Sequence, residues 1–258
     1  MSRASQSLFP HHKLDWTISR LRERVEATPD DPAARIQLAS AMVSRGLYHG
    51  GGERVCNDAL AHVRKALADD PANVDGLVVA ALALCGMDRP RAASRYLDQA
   101  VRVDGELPLL RLAMGKMEGL RGEHGAAVRQ LETACRLAPE AWETHLELGR
   151  ALMVTDFVAA EAAFARSVAL KPAADAWLNL ARLRLRLGDW AGCGAALSHL
   201  PQTAETRAMA YRVACETGAE TAALRADLLS RASERPEALT ALTRTAKGHL
   251  PLRLPQAR

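Results

Sequence analysis

Apolar residues recur along this chain at helical spacing, and the helical segments themselves recur. One half-motif repeats: a small residue, an apolar residue four later, a small residue three after that, and Pro five further on. It reads Ala59, Val63, Ala66, Pro71, then Ala127, Leu131, Ala134, Pro139, then Ala160, Phe164, Ser167, Pro172. Ala93, Leu97 and Ala100 fit between, with Gly105 in place of the Pro, and Cys193, Leu197 and Leu200 form a weaker fifth copy. The opening residues 59, 93, 127, 160 and 193 lie 34, 34, 33 and 33 apart, the mark of stacked repeats.

Each half-motif is preceded by a second apolar-periodic segment that ends near a Gly. Met114-Gly115, Leu148-Gly149 and Leu180-Ala181 occupy equivalent points in these segments, and Gly122 and Gly188 terminate two of them. In the stretch from Trp177 to Trp190, apolar residues run along one side, Gly188 supplies a left-handed helix end and Asp189 caps the next helix. Each unit is therefore expected to be two antiparallel helices. The small residues mark where backbones approach closely, and the Pro ends the second helix because it lacks a backbone donor.

A period of this length, with a W-x-x-L-G-type first helix and an A-x3-F-x2-A-x4-P second helix, resembles the tetratricopeptide repeat (TPR) family. The likeness covers roughly residues 32–205. It departs from the family at the first-helix Trp, present only as Trp177, with Arg35, Leu77, Arg111 and His145 in the other copies. The resemblance implies an all-α, right-handed superhelical solenoid. Its expected parts are a flexible N-terminus over 1–13, an N-capping helix over 14–28, and repeats over 32–73, 74–107, 108–141, 142–174 and 175–205. A degenerate pair over 206–235, a C-capping helix over 237–247 and a flexible tail over 248–258 complete it. The first repeat carries an insertion: Tyr48 and Ala59 are 11 residues apart, through HGGGERVCND, where the pattern needs about three. It reads as a Gly-rich loop plus an extended second helix starting near Glu53, dispensable for folding.

Composition agrees with an all-α chain. Apolar residues make up 48% but aromatics only 4%, and Ala and Leu, strong helix formers, dominate. Net charge is +4, with no run of five like charges, which gives no basis for nucleic-acid or membrane binding. The longest apolar stretch, Leu77 to Met87, is 11 residues, too short to cross a bilayer. Five dispersed cysteines without a C-x-x-C pair point to a reducing, cytoplasmic setting.

No catalytic constellation emerges. The eight His residues show no H-E-x-x-H spacing, and Gly50-Gly51-Gly52 lacks the G-K-[ST] of a phosphate loop. Cys193 between Gly192 and Gly194 stands where the repeat needs a small packing residue. We therefore expect no enzyme, no cofactor and no metal site.

The resemblance places first helices on a concave face. The residue after each Leu-Gly-type pair then points into the groove: Ser40, Leu82, Lys116, Arg150, Arg182 and Arg212. The expected partner-binding set is a cation ladder of Lys116, Arg150, Arg182 and Arg212, with Arg186 and Asn179 beside it, and apolar anchors at Val78, Leu82 and Leu112. The implied function is a scaffold or adaptor holding an extended or helical segment of another protein, with acidic groups along the ladder. The competing reading is a self-assembling component, a homo-oligomer, or a secretion-chaperone component that uses its apolar end and the 49–58 insertion as an interface. Neither reading calls for nucleic acid or membrane insertion.

Overall fold

The structure is a computed structural model that describes residues 11–49 and 51–230. Among these residues there are thirteen α-helices and no strand. The helix α1 spans His11–Ala27, so residues 11–13 form its first turn. Hairpins come next: α2 Pro32–Tyr48 with α3 Gly52–Asp69, α4 Val74–Gly86 with α5 Pro90–Val103, and α6 Pro108–Leu120 with α7 His124–Leu137. Then come α8 Trp142–Leu152 with α9 Phe157–Leu170, α10 Ala174–Leu187 with α11 Trp190–Leu197, and α12 Ala204–Thr217 with α13 Ala222–Ser230. Residues 1–10, Gly50, and the expected C-capping helix and tail over 237–258 lie outside the described residues.

Local chemistry explains the boundaries. Asp31, Asn73, Asp156 and Asp189 stand at N-cap positions, and the carboxylate or amide oxygen of each accepts a hydrogen bond from an amide of the first turn. Pro32, Pro90 and Pro108 open α2, α5 and α6, where no amide donor is needed. Gly122 and Gly188 take φ of +78° and +77° in the hairpin turns, a conformation that side chains resist.

The chain falls into two compact units that part between Asp175 and Ala176. The first has a core of Ile18, Leu38, Met42, Val63, Leu77, Leu97, Leu110 and their neighbours. A second cluster of Leu112, Ala127, Leu131, Ala134 and Ala151 lies under α6–α8. The small repeat residues Ala59, Ala66, Ala93, Ala100, Ala127, Ala134, Ala160 and Ser167 are all fully buried. Ser167 keeps its hydroxyl satisfied by donating to the Trp142 carbonyl at 2.9 Å. Close approach is visible at the first-helix glycines. A methyl added at Gly115 would lie 2.5 Å from Leu131 Cγ, and one at Gly149 would lie 2.6 Å from the Phe164 ring.

In the second unit, α12 packs on both α11 and α13, around Ala208, Tyr211, Cys215 and Leu228. Arg207 ties α12 to α13 by donating to Asp227 at 2.6 Å.

The extended second helix expected to start near Glu53 is α3, which opens at Gly52, but the expectation that the whole 49–58 segment is dispensable for folding does not hold. Residues 52–58 form the opening turns of α3, and Cys56 is fully buried. Its Sγ fills the space that glycines leave on two other helices: a methyl at Gly46 of α2 or Gly86 of α4 would lie 2.5 Å from it. A sulfur wedged among three helices makes this part of the segment core, not dispensable loop.

Candidate functional site

A cleft of about 740 Å³ lies in the first unit. Its floor is one stripe of α2: Gln37, Ser40, Ala41, Ser44, Leu47 and Tyr48. These fall at i, i+3, i+4, i+7, i+10 and i+11, so a single helical face is presented. Thr17 and Leu21 of α1, Val79 and Leu82 of α4, Pro108, Leu109 and Leu112 of α6, and Ala141, Glu143 and Thr144 around the start of α8 complete the walls. The lining is mostly apolar, and Glu143 is its one formally charged residue. Thr144 already donates its hydroxyl to the Ala141 carbonyl at 2.7 Å.

Ser40, Leu82 and Leu112 line this cleft. Val78 does not. It is 1% exposed within the core, because α4 is packed by α2 on one side and α6 on the other, and the neighbouring Val79 takes the cleft position.

The cations behave differently from the ladder expected of them. Lys116 donates to Glu147 Oε1 at 2.7 Å, and Arg150 donates to the same oxygen at 2.9 Å. Arg150 also donates to Asp175 Oδ2 at 3.1 Å. Two cations and two carboxylates thus form one continuous chain across α6, α8 and the start of α10, bordering a small pocket of about 230 Å³. Burial alone would push the Glu147 carboxyl up. The Lys116 and Arg150 charges and the hydrogen bond from Lys116 outweigh it and hold Glu147 below its ordinary value. Around this chain sits an aromatic pair, Tyr48 edge-on to Trp142 at 5.3 Å. Lys116 lies 5.7 Å over the Tyr48 ring, and Lys171 lies 4.6 Å over Trp142. Glu143 differs from Glu147: burial dominates and raises its pKa, with the Lys171 charge opposing only in part.

In the second unit, Arg182 donates to Glu205 at 2.6 Å, and Arg212 sits 5.8 Å over the Trp190 ring. Arg186 is not free of partners, nor is Asn179, which is 8% exposed. The structure brings Lys116 and Arg150 together on Glu147, and in the other unit each cation has its own neighbour. Each of the four cations therefore already has a carboxylate or an aromatic ring beside it within its own unit.

Sequence reasoning passed over Tyr48 and Ser44 as groove residues, whereas the carboxylates Glu143, Glu147 and Asp175 interleave with the cations already in the sequence. Glu147 carried a readable signal: it stands three residues before Arg150, a spacing at which opposite charges meet on a helix.

Burial pushes the Cys193 thiol up to about 11 and the Cys85 thiol to about 12, so neither ionises near neutral pH. All five cysteines are unpaired. Among the described residues no group of three or more His, Cys, Asp or Glu could hold a metal ion, and no helix is long and apolar enough to cross a membrane.

No family model matches the chain, and no curated protein does. Solved structures do. PilF of Pseudomonas aeruginosa is 19% identical with a TM-score of 0.63, over 80% of this chain and 94% of that one. TTC0263, a thermophilic TPR protein of Thermus thermophilus, is 22% identical with a TM-score of 0.52, over 69% and 90%. Human IFIT1, solved as a dimer with m7Gppp-AAAA, is 16% identical with a TM-score of 0.65, over 89% and 63%. At these identities the likeness concerns the fold. Together with the repeat spacing, it makes this an all-α chain of the TPR fold.

Proposed function

We propose that the protein is a non-catalytic interaction scaffold that holds a polypeptide segment of a partner in the cleft of its first unit. The observation that carries this reading is the cleft itself. Five helices contribute apolar or small side chains to one open concavity, and its size falls within the range of binding sites. The raised thiols support a binding role over a nucleophilic one, and five unpaired cysteines support a cytoplasmic setting.

The finer expectation of an acidic ligand draws less support from the geometry. Lys116 and Arg150 already face Glu147 and Asp175, so an incoming carboxylate would have to compete with carboxylates held at fixed distance. The same arrangement speaks against a nucleic-acid ligand in the cleft. A phosphate backbone is held chiefly by exposed Lys and Arg, and this lining has none.

A photoreactive residue at Ser44, inside the cleft, tests the proposal against one at Val158, which is 80% exposed on α9. In cells, Ser44 should give a discrete protein adduct that disappears when Ser40→Trp fills the cleft. Adducts from Val158 alone would move the binding surface elsewhere.

A further inference from the structure

The cleft also carries information about the chemistry of what fills it. This inference rests on the docking role proposed above. The α2 stripe runs from Gln37 to Tyr48, 11 residues, or roughly 16 Å along a helix, about three turns. At its middle are Ser40, Ala41 and Ser44, small side chains that let another backbone come close, as interhelical packing requires.

Backbone satisfaction separates helical from extended occupants. An extended segment would bring unpaired amides and carbonyls into a lining that is mostly apolar. Apart from the last turn of α2 and the first turns of α6 and α8, the cleft walls are mid-helix backbone whose groups are committed, and Thr144 is committed to Ala141. A helix carries its backbone hydrogen bonds internally and avoids that cost.

Charge then fixes one further feature. Glu143 is the single charged residue of the lining and is partly withdrawn from water. It forms no ion pair among the described residues, whereas Glu147, one turn along the same helix, is paired twice. Lys171, whose charge reaches Glu143, is placed over the Trp142 ring. The cations that could have welcomed an acid are ion-paired to Glu147 and Asp175, whereas Glu143, which feels the Lys171 charge and accepts from Trp142 and its own backbone amide, is in no ion pair among the described residues.

We propose that the occupant is an amphipathic helical segment of another protein, about three turns long, that lays an apolar face on the α2 stripe and presents a Lys or Arg to Glu143. The basic residue sets orientation as well as affinity, since the cleft offers a charged group at the α8 side only.

A displayed library of 12-residue helical peptides, with Leu, Ala and one charged position varied, tests this against the full chain. Peptides competed by Ser40→Trp report on the cleft. Those should be enriched in Lys or Arg at one fixed offset from the Leu positions. They should weaken by about tenfold against Glu143→Gln, the loss expected for one partly desolvated charge pair. A proline at the centre of a selected peptide should abolish its binding. Cleft-dependent peptides that are indifferent to charge, richer in Asp or Glu, or tolerant of the central proline would overturn the proposed occupant while leaving the docking role intact. The absence of any Ser40→Trp-sensitive peptide would remove both. Size-exclusion light scattering of the protein alone supplies the remaining outcome. A dimer that Ser40→Trp dissociates would assign the cleft to a second copy of this chain, and the partner helix would be excluded.

Discussion

Replacing Gly149 by Ala should destabilise the first unit, although Gly→Ala within a helix normally stabilises by up to about 1 kcal/mol. The added methyl would lie 2.6 Å from two carbons of the Phe164 ring and 3.0 Å from a third. Ordinary carbon contacts are about 3.5–4.0 Å, so the overlap is close to 1 Å. Phe164 is fully buried on α9, and a flat ring held on all sides cannot rotate out of the way. Overpacking of this kind costs about 1–3 kcal/mol, and with the ring so confined the upper part of that range applies. After subtracting the propensity gain, a net loss of about 1–2 kcal/mol remains. Gly115→Ala should behave alike, because its methyl meets Leu131 Cγ at 2.5 Å and the Ala127 carbonyl oxygen at 3.1 Å.

Gly119→Ala is the internal control. It lies on the same helix as Gly115, and its nearest neighbour would be the Ala127 methyl at 3.9 Å, an ordinary contact. Only the propensity term should remain, a gain of at most about 1 kcal/mol. The same chemical change should therefore act with opposite sign at sites one turn apart. Urea denaturation followed by far-UV circular dichroism reads this directly. At m-values of about 2 kcal/mol/M, a spread of about 2–3 kcal/mol separates the midpoints by roughly 1 M. Phe164→Leu should relieve Gly149→Ala and leave Gly115→Ala unchanged, a coupling that a double-mutant cycle isolates. Equal midpoints for Gly115→Ala and Gly119→Ala would refute the close-crossing account of these repeats.

Ala127→Leu, at a fully buried crossing, should lower stability by about 1–3 kcal/mol; an unchanged urea midpoint would mean the repeat register is misassigned. Two glutamates one turn apart should show opposite pH dependence. Glu147 is held below its ordinary carboxyl value of 4.5, so its contribution is fully present above pH 4.5 and lost as pH falls through the folded value. Glu147→Gln should then cost stability at pH 7, toward the low end of the roughly 3–5 kcal/mol for breaking a buried pair, with the deficit shrinking below pH 4.5. Glu143 is raised above 4.5 by burial, so its charged form costs stability above the folded value and nothing well below 4.5. Glu143→Gln should stabilise at pH 7 and converge on wild type in acid; the same sign for both variants in stability measured across pH 3–8 would refute the assignment.

The fold was largely legible because the repeat writes it many times over. Single positions are ambiguous, but Ala59, Ala93, Ala127 and Ala160 occupy one packing role at one spacing, and all are fully buried. Capping chemistry marked one boundary in the same way, at Asp189, and the structure adds caps at Asp31 and Asp156. The 49–58 segment was misjudged for a local reason. Glycines flanking an irregular stretch suggest freedom, yet Gly46 and Gly86 are there to make room for the Cys56 sulfur, and the two glycines are 40 residues apart in sequence. No local pattern joins them.

The candidate residues could be named from the sequence, carboxylates included, but not which of them pair, because the period relates like positions of successive repeats and not the contacts between them. The repeat places Lys116 and Arg150 34 residues apart, whereas Glu147 and Asp175 are 28 apart and stand at different positions of it, so the spacing shows the cations as a row without showing which carboxylate each one meets. Lys116 and Glu147 are 31 residues apart, nearly one repeat, and meet at 2.7 Å. Such an array neutralises itself, and what it then displays to a ligand is the group left over. In the first unit that group is Glu143, which faces the cleft while its neighbours face each other. The ligand we propose therefore differs in sign from the acidic segment expected along a ladder: a basic residue drawn to one carboxylate. Neither the overall charge of +4 nor any single helix carries that reversal. It arises from which side chains the hairpin stack has already paired.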